Sequence, residues 1–489
     1  DYFDGTYYLF FGVTDVKDEF SGVAGCNSDS AIGVATSASP AGPWVYHDQL
    51  VVKPRQNGDG CNFFWTYDPE VIRGAANTPD ANNYFIYYGS YYGGIFVSEL
   101  NLSTLQAVGT PEQVTIANRY EGSEVVYRDG YYYLFVSATN CCNGPLTGYA
   151  VFAGRSASPT GPFVDREGVS LLAGRVGGTP VINLNGNRWV GLGHNEVFQD
   201  VEGQWWTVYH AVDQNDPYFE GTPAPGVNPF TKRPVLLDPL DWIDGWPTVR
   251  AGLWASDERM YAPAAQEGDR DRYKPRAPRP DNIGKLLTEY SEEFNGDSLT
   301  TDPSWVREPA EGSYGLTGEG FRFDTQAADL FVDSNNASVL ALPAPDKNYV
   351  VEARVKLNLP AEGCCFNYVQ AGLVIYGDDD NFIKLVHASI WETRQTEFAK
   401  EISPVPAGYP RYGNTVGGPP AEWTYLRIAV RESGDEQLYT AYTSIDGTNW
   451  VRGGTWTHDL GDDARIGLVS MGGSGFTAEF DYVRVYRLH

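Results

Sequence analysis

The feature that most constrains this chain is a repeat. Ser37-Ala-Ser-Pro-Ala-Gly-Pro-Trp44 returns as Ser156-Ala-Ser-Pro-Thr-Gly-Pro-Phe163, each time after a short strand-like run, AIGVAT or YAVFAGR. Aromatic strands also follow turns at Asp4-Gly5, Asn82-Asn83, Asp129-Gly130 and Glu202-Gly203. A unit of this kind leaves both faces of a small sheet uncovered, so it needs similar neighbours on either side, as the blades of a propeller do. The repeat predicts four blade-like units at roughly 1–55, 64–116, 118–172 and 178–242. The turn Asp244-Gly-Trp-Pro247 then leads into one closing strand. No stretch carries a sustained 3.6-residue apolar period, so long helices are excluded.

After this region the pattern changes twice. Residues 263–288 are rich in Pro, Asp and Arg, and read as a linker or a strap laid over another surface. From 289 to 489, longer alternating strands such as YVVEARVKL, AGLVIYG and WTYLRIAVRE predict an antiparallel β-sandwich. The expected organisation is all-β: a propeller domain over 1–262, a linker over 263–288 and the sandwich over 289–489.

Charge narrows the partners. The chain has 35 Lys and Arg against 63 Asp and Glu, a net charge of −28, which would repel phosphate backbones and anionic lipid. Nucleic acid is excluded as a partner on this ground. No run of ~18 apolar residues is present, so no helical membrane span is expected. A surface rich in Tyr and Trp suits a neutral, hydroxylated partner, and sugars fit.

The six cysteines include two adjacent pairs, a spacing unsuited to zinc. They read either as Cys141–Cys142, Cys364–Cys365 and Cys26–Cys61 bridges formed in an oxidising compartment or as buried free thiols. Two N-x-S acceptors, at Asn101 and Asn336, fit a secreted surface. The first residues, Asp1-Tyr2-Phe3-Asp4-Gly5, form a turn before an aromatic strand, so the start reads as processed or truncated.

Three positions share one phase, each at the start of a blade's innermost strand, where a propeller would converge them on its axis. They are Asp68 in WTYDPEVI, Glu121 in YEGSEVVY and His194 in GHNEVFQD. Taken singly, each has a bland reading: Asp-Pro as a turn, Glu-Gly as a loop, a lone His as a structural residue. Glu124, three residues after Glu121, is expected on the opposite face by strand alternation. The run Asp378-Asp379-Asp380 reads as a solvated turn or a calcium site.

Taken in order, YDPEVI…YYGSYYGGI, YEGSEVVYRDGYYYLFVS…CC, GHNEVFQD…WWTVYHAVD and LLDPLDWIDGWPTV resemble glycoside hydrolase family 43, over roughly residues 1–255. The adjacent cysteines after YYYLFVS are most similar to its arabinanase and α-L-arabinofuranosidase branches. SEEFNGDSL and the following strands resemble the concanavalin-like domain found after many such propellers. The resemblance implies a five-bladed-type β-propeller, its first blade lying upstream of this chain, followed by the sandwich.

The resemblance further implies that Glu121 is the general acid and Asp68 the carboxylate that orients it and raises its pKa. Arg233, Trp65, Tyr120 and His194 would line the substrate site, with His194 also the position that holds water or a metal ion in relatives. The general base would be an Asp of the first blade; Asp1 does not occupy an equivalent strand start, so none is assigned here. The implied activity is that of a secreted, monomeric, inverting α-L-arabinofuranosidase on arabinoxylan or arabinan of plant cell walls. It would require no cofactor and would be compatible with a structural calcium or other metal near the axis. The alternatives are an arabinanase, a β-xylosidase, or a non-catalytic carbohydrate-binding propeller.

Overall fold

The computed structural model describes residues 1–222, 230–269, 272–346 and 348–489, so residues 270 and 271 of the expected linker lie outside the described residues. Turns at Gly and Asn and short β-branched or aromatic runs produce four four-stranded sheets, each with its strands in chain order. The first holds Tyr2–Phe3, Thr6–Thr14, Ser30–Ser37 and Val45–Tyr46; the second Glu70–Arg73, Tyr84–Tyr88, Phe96–Asn101 and Gln106–Gln113. The third holds Tyr120–Arg128, Tyr131–Ala138, Ala150–Ser156 and Thr179–Ile182, and the fourth Trp189–Gln199, Trp205–Asp213, Val235–Ile243 and Trp246–Val249.

The propeller-blade reading therefore holds, with two boundaries moved. The run at 179–182 is the outer strand of the third sheet rather than the opening of the fourth. The strand after Asp244-Gly245 closes a hairpin within the fourth sheet, Ile243 pairing with Trp246. Turn chemistry marks where strands end but not which sheet an outer strand joins. The repeated turn is also a structural repeat, since both copies carry a cis Gly-Pro bond, at Gly42-Pro43 and Gly161-Pro162. Neighbouring sheets cover each other as the repeat requires: Ile32 and Val34 of the first pack with Val71, Ile86 and Leu100 of the second, all buried.

By contact the chain divides into two compact units. One comprises Asp1–Ala138 with Ala153–Ala173, and the other Thr139–Phe152 with Gly174–His489. The second unit contains the sandwich, two antiparallel sheets of long strands. One is ordered Tyr314–Leu316, Phe321–Asp324, Thr477–Leu488, Tyr349–Leu357, Thr424–Ser433, Glu436–Ser444 and Val451–His458. The strand Ile283–Leu286, inside the stretch expected as a linker, also pairs with Thr477–Leu488. The facing sheet is built on Gln370–Asp378, Asn381–Ile390 and Thr393–Glu401.

Two backbone seams join the sandwich to the blade segment of the same unit. Arg394 N–H donates to Gly174 O at 2.7 Å and Arg394 O accepts from Val176 N–H at 3.0 Å; Thr455 N–H donates to Leu184 O at 2.9 Å. The close approach is strict at Gly148, where a Cβ would lie 1.7 Å from Asn414 O. The Asp378–Asp380 turn is not a bare acidic cluster. Arg307 binds Asp379 with two bonds of 2.8 Å, and Arg411 reaches Asp380.

One core position breaks the apolar rule. His387 is buried on the strand Asn381–Ile390, and neither ring nitrogen has a hydrogen-bond partner among the described residues. Burial, reinforced by Arg175 and Arg394, drives its pKa down to about 3. An unfolded histidine takes up its proton near pH ~6.5, so acidification below that value favours the unfolded chain until the folded pKa is reached. We predict that stability falls by up to about 1.4 kcal/mol per pH unit from this group below pH ~6. In calorimetric melts His387→Leu should shrink the loss between pH 7.5 and 5; an unchanged pH dependence would show that His387 does not carry it.

Candidate active site

In the first unit, the site is assembled around the start of the strand Tyr120–Arg128. Asp68 sits in the left-handed region at φ 51°, just before the strand Glu70–Arg73. Its Oδ2 accepts the Gly122 N–H at 3.1 Å, while its main-chain carbonyl accepts the Ser123 hydroxyl at 3.1 Å. The Asp68 carboxylate is therefore bound to the residue that follows Glu121. Glu121, half-buried, accepts the Ser90 hydroxyl on Oε2 at 3.3 Å. Ser90 is held there by a tight turn: Gly89 N–H donates to Tyr67 O at 2.9 Å, and a Cβ at Gly89 would lie 2.3 Å from Gly94 O. Only glycine permits that approach at φ 117°.

Glu124 corrects an expectation. The ladder with Tyr131–Ala138 pairs Glu121 with Ser137 and Glu124 with Phe135, so three steps on one strand meet two on the other. Gly122, at φ 61°, forms this bulge. Ser137 and Phe135 are two apart and share a face, which returns Glu124 to the same side as Glu121 rather than the opposite one. Strand alternation fails here because a bulge inserts a residue that simple counting does not see.

The aromatic candidates separate. Trp65 is 42% exposed and forms a surface cluster with Tyr91 and Tyr92, at ring distances of 6.1 and 6.4 Å. It presents an apolar ring to solvent as a sugar platform requires. Tyr120 is 0% exposed, and the Arg119 guanidinium lies 5.2 Å from its ring centre. Its ring has no surface to offer, so the reading of Tyr120 as a substrate contact gives way to a packing role.

In the second unit, Arg233 is exposed and donates to Cys141 O at 2.9 Å and to Cys142 Sγ at 3.0 Å. Cys141 and Cys142 are joined, as are Cys364 and Cys365, and the Cys26 and Cys61 sulfurs are 2.04 Å apart. His194 is exposed at φ 48°, within the irregular register of Trp189–Gln199. Gly193 beside it packs so closely under Tyr149 that a Cβ would lie 2.0 Å from the ring.

Sequence reasoning missed His210, on Trp205–Asp213, which stacks on Tyr149 at 5.7 Å. Burial first, then Arg233 and His194, lowers its pKa to about 4, so it is neutral at ordinary pH. The signal was the polar His in the aromatic run WWTVYHA; for Ser90 it was the Gly-Ser that ends YFIYYGS.

The carboxylate of Asp68 supplies a charge-assisted bond and tolerates a left-handed backbone, and asparagine shares both the acceptor oxygen and that tolerance. Asp68→Asn should therefore cost under about 1 kcal/mol of stability, and Asp68→Ala about 1–3 kcal/mol. Denaturant melts of the two variants decide this; equal losses would remove the Gly122 bond as the reason for this residue.

Residues 1–247 match the model "Glycosyl hydrolases family 43", and residues 291–486 match "Beta xylosidase C-terminal Concanavalin A-like domain". The chain is 31% identical over 252 residues to the extracellular endo-alpha-(1->5)-L-arabinanase 1 of Bacillus subtilis, covering 50% of this chain and 66% of that protein. It is 28% identical over 265 residues to the extracellular exo-alpha-(1->5)-L-arabinofuranosidase ArbA of Cellvibrio japonicus, covering 50% and 67%. The chain thus spans about two thirds of the length of these relatives. Among solved structures, xylan beta-1,4-xylosidase from Bacillus halodurans aligns with 99% of this chain and 85% of its own, at 18% identity and a TM-score of 0.36. With half of its length matched by the family model, the chain belongs to glycosyl hydrolases family 43.

Proposed function

We propose that this chain is a secreted inverting glycoside hydrolase that removes α-L-arabinofuranosyl units from arabinoxylan or arabinan. The observation that carries the reading is the bond from Gly122 N–H to the Asp68 carboxylate, which fixes a negative charge beside the backbone of Glu121. A neighbouring carboxylate disfavours ionisation of a second one, which suits Glu121 to hold a proton at working pH. Glu121 then protonates the glycosidic oxygen as the sugar leaves, with the Ser90 hydroxyl orienting its carboxyl group.

Inversion also needs a base that activates water, at ~6.5–9.5 Å from the acid. We assign that base to no residue of this chain. Trp65 presents a ring face of the kind that packs on a sugar. Arg233 carries donors of the kind that sugar hydroxyls accept. His194 is the position for a bound water or metal ion, and no step of the hydrolysis is routed through it. Acid–base hydrolysis by two carboxylates and water requires no cofactor. The joined cysteines and the extracellular relatives support secretion, and the enzyme is read as a monomer.

A second reading, β-xylosidase, is favoured by the match of residues 291–486 to the Beta xylosidase C-terminal Concanavalin A-like domain. The protein should release arabinose from nitrophenyl α-L-arabinofuranoside faster than xylose from nitrophenyl β-xyloside. Faster xylose release selects the second reading, and release of neither leaves a carbohydrate-binding propeller. Glu121→Gln should lower turnover on a natural oligosaccharide by about 10²–10⁴-fold, and much less on a glycoside whose leaving group needs no proton. Equal losses on both would remove Glu121 from the acid role.

A further inference from the structure

The sandwich sheet that contains Tyr349–Leu357 and Thr424–Ser433 carries polar side chains in rows on its outer face. Cross-strand pairing aligns Glu352 with Arg427, Arg427 with Tyr442, and Tyr442 with Arg452. The next row runs Val350, Ala429, Thr440 and Thr455. Because opposed residues share a face, these rows form one continuous floor. The segment Ala277–Asp281 crosses above it, and the space enclosed is about 490 Å³, within the range of small-molecule sites.

The chemistry of this groove is opposite to that of the chain. Four arginines line it, Arg279, Arg427, Arg431 and Arg452, against Asp281 in the lining and Glu352 in the row below. On a protein of net charge −28 this is a cationic enclave. Three of the guanidinium groups are fixed in place. Arg427 binds Glu352 at 2.6 Å and lies 3.6 Å from the centre of the Trp450 ring. Arg431 binds Asp281 at 2.7 Å, and Asp281 also accepts the Tyr442 hydroxyl at 2.5 Å. Arg452 donates to Gly252 O at 2.8 Å and lies over Trp254. Arg279 is exposed at the rim and makes no ion pair or hydrogen bond among the described residues.

The remaining groups say which anion fits. The Thr440 and Thr455 hydroxyls, 2.8 Å apart, lie beside the half-buried apolar side chains of Ile283 and Leu438. A small inorganic anion would use the charge and waste the length, the hydroxyls and these apolar groups. A carboxylated pyranose uses all of them, its carboxylate forked by arginine and its ring laid against Ile283 and Leu438.

We propose that this groove is a second, non-catalytic site that binds a uronic-acid unit of an acidic polysaccharide. It lies wholly in the second unit and its occupancy does not depend on hydrolysis. The test is isothermal titration of the full chain carrying Glu121→Gln, so that turnover does not enter the readout. Trigalacturonic acid should bind, and neutral arabinotriose should not bind at this groove. Arg279→Ala should weaken uronate binding roughly tenfold, Arg279→Lys should restore part of it, and raised salt should weaken it further. Absence of uronate binding, indifference to Arg279→Ala, or sulfate binding as tightly as the uronate would each overturn the proposal. None of these outcomes bears on whether Glu121 is an acid, so the two readings fail separately.

Discussion

The chemistry of this chain depends on one short span of hydrogen bonding between a carboxylate and a strand start. Asp68 leaves the ordinary backbone region so that its side chain can meet Gly122 while its own carbonyl meets Ser123. Two bonds between the same pair of segments fix both translation and rotation, which one bond would not. Glu121 inherits its position from this clamp. The second sheet and the start of the third are thus held by a polar contact where blade packing elsewhere relies on apolar surface.

Much of this was legible in the sequence, for reasons that can be named. Repetition of strand, aromatic hairpin and Gly-Pro turn announced the blades because a small sheet with two apolar faces has few other solutions. The phase shared by Asp68 and Glu121 brought their two strand starts together because topology repeats with the blades. What escaped was whatever depended on the third dimension. The bulge at Gly122 has no composition of its own, so alternation misplaced Glu124. Tyr120 sits next to Glu121 in sequence, yet its side chain points into packing with Arg119. His210 becomes interesting only when Tyr149, from another strand, is stacked on it.

The sandwich repays the same reading. Residues 174–176 and 183–185 meet it through main-chain bonds as well as side chains, as Arg394 and Thr455 show. Main-chain seams of this kind tolerate sequence drift better than side-chain contacts, because any residue supplies the same donors and acceptors. Positions such as Gly148 are the exception, where two backbones touch and nothing larger than hydrogen fits. The sandwich and this part of the blade region belong to one compact unit.

The pairing of Ile283–Leu286 with Thr477–Leu488 has a temporal side. Ile283 lies opposite Leu488, so the strand that opens the sandwich finds its partner only in the last residues of the chain. During synthesis the opening strand must wait, unzipped, until the long stretch between Leu286 and Tyr486 has left the ribosome. The blades, whose strands pair with their immediate successors, have no such delay. Translation therefore delivers sheets that can close as they emerge, followed by a sandwich whose first strand stays open until its distant partner arrives.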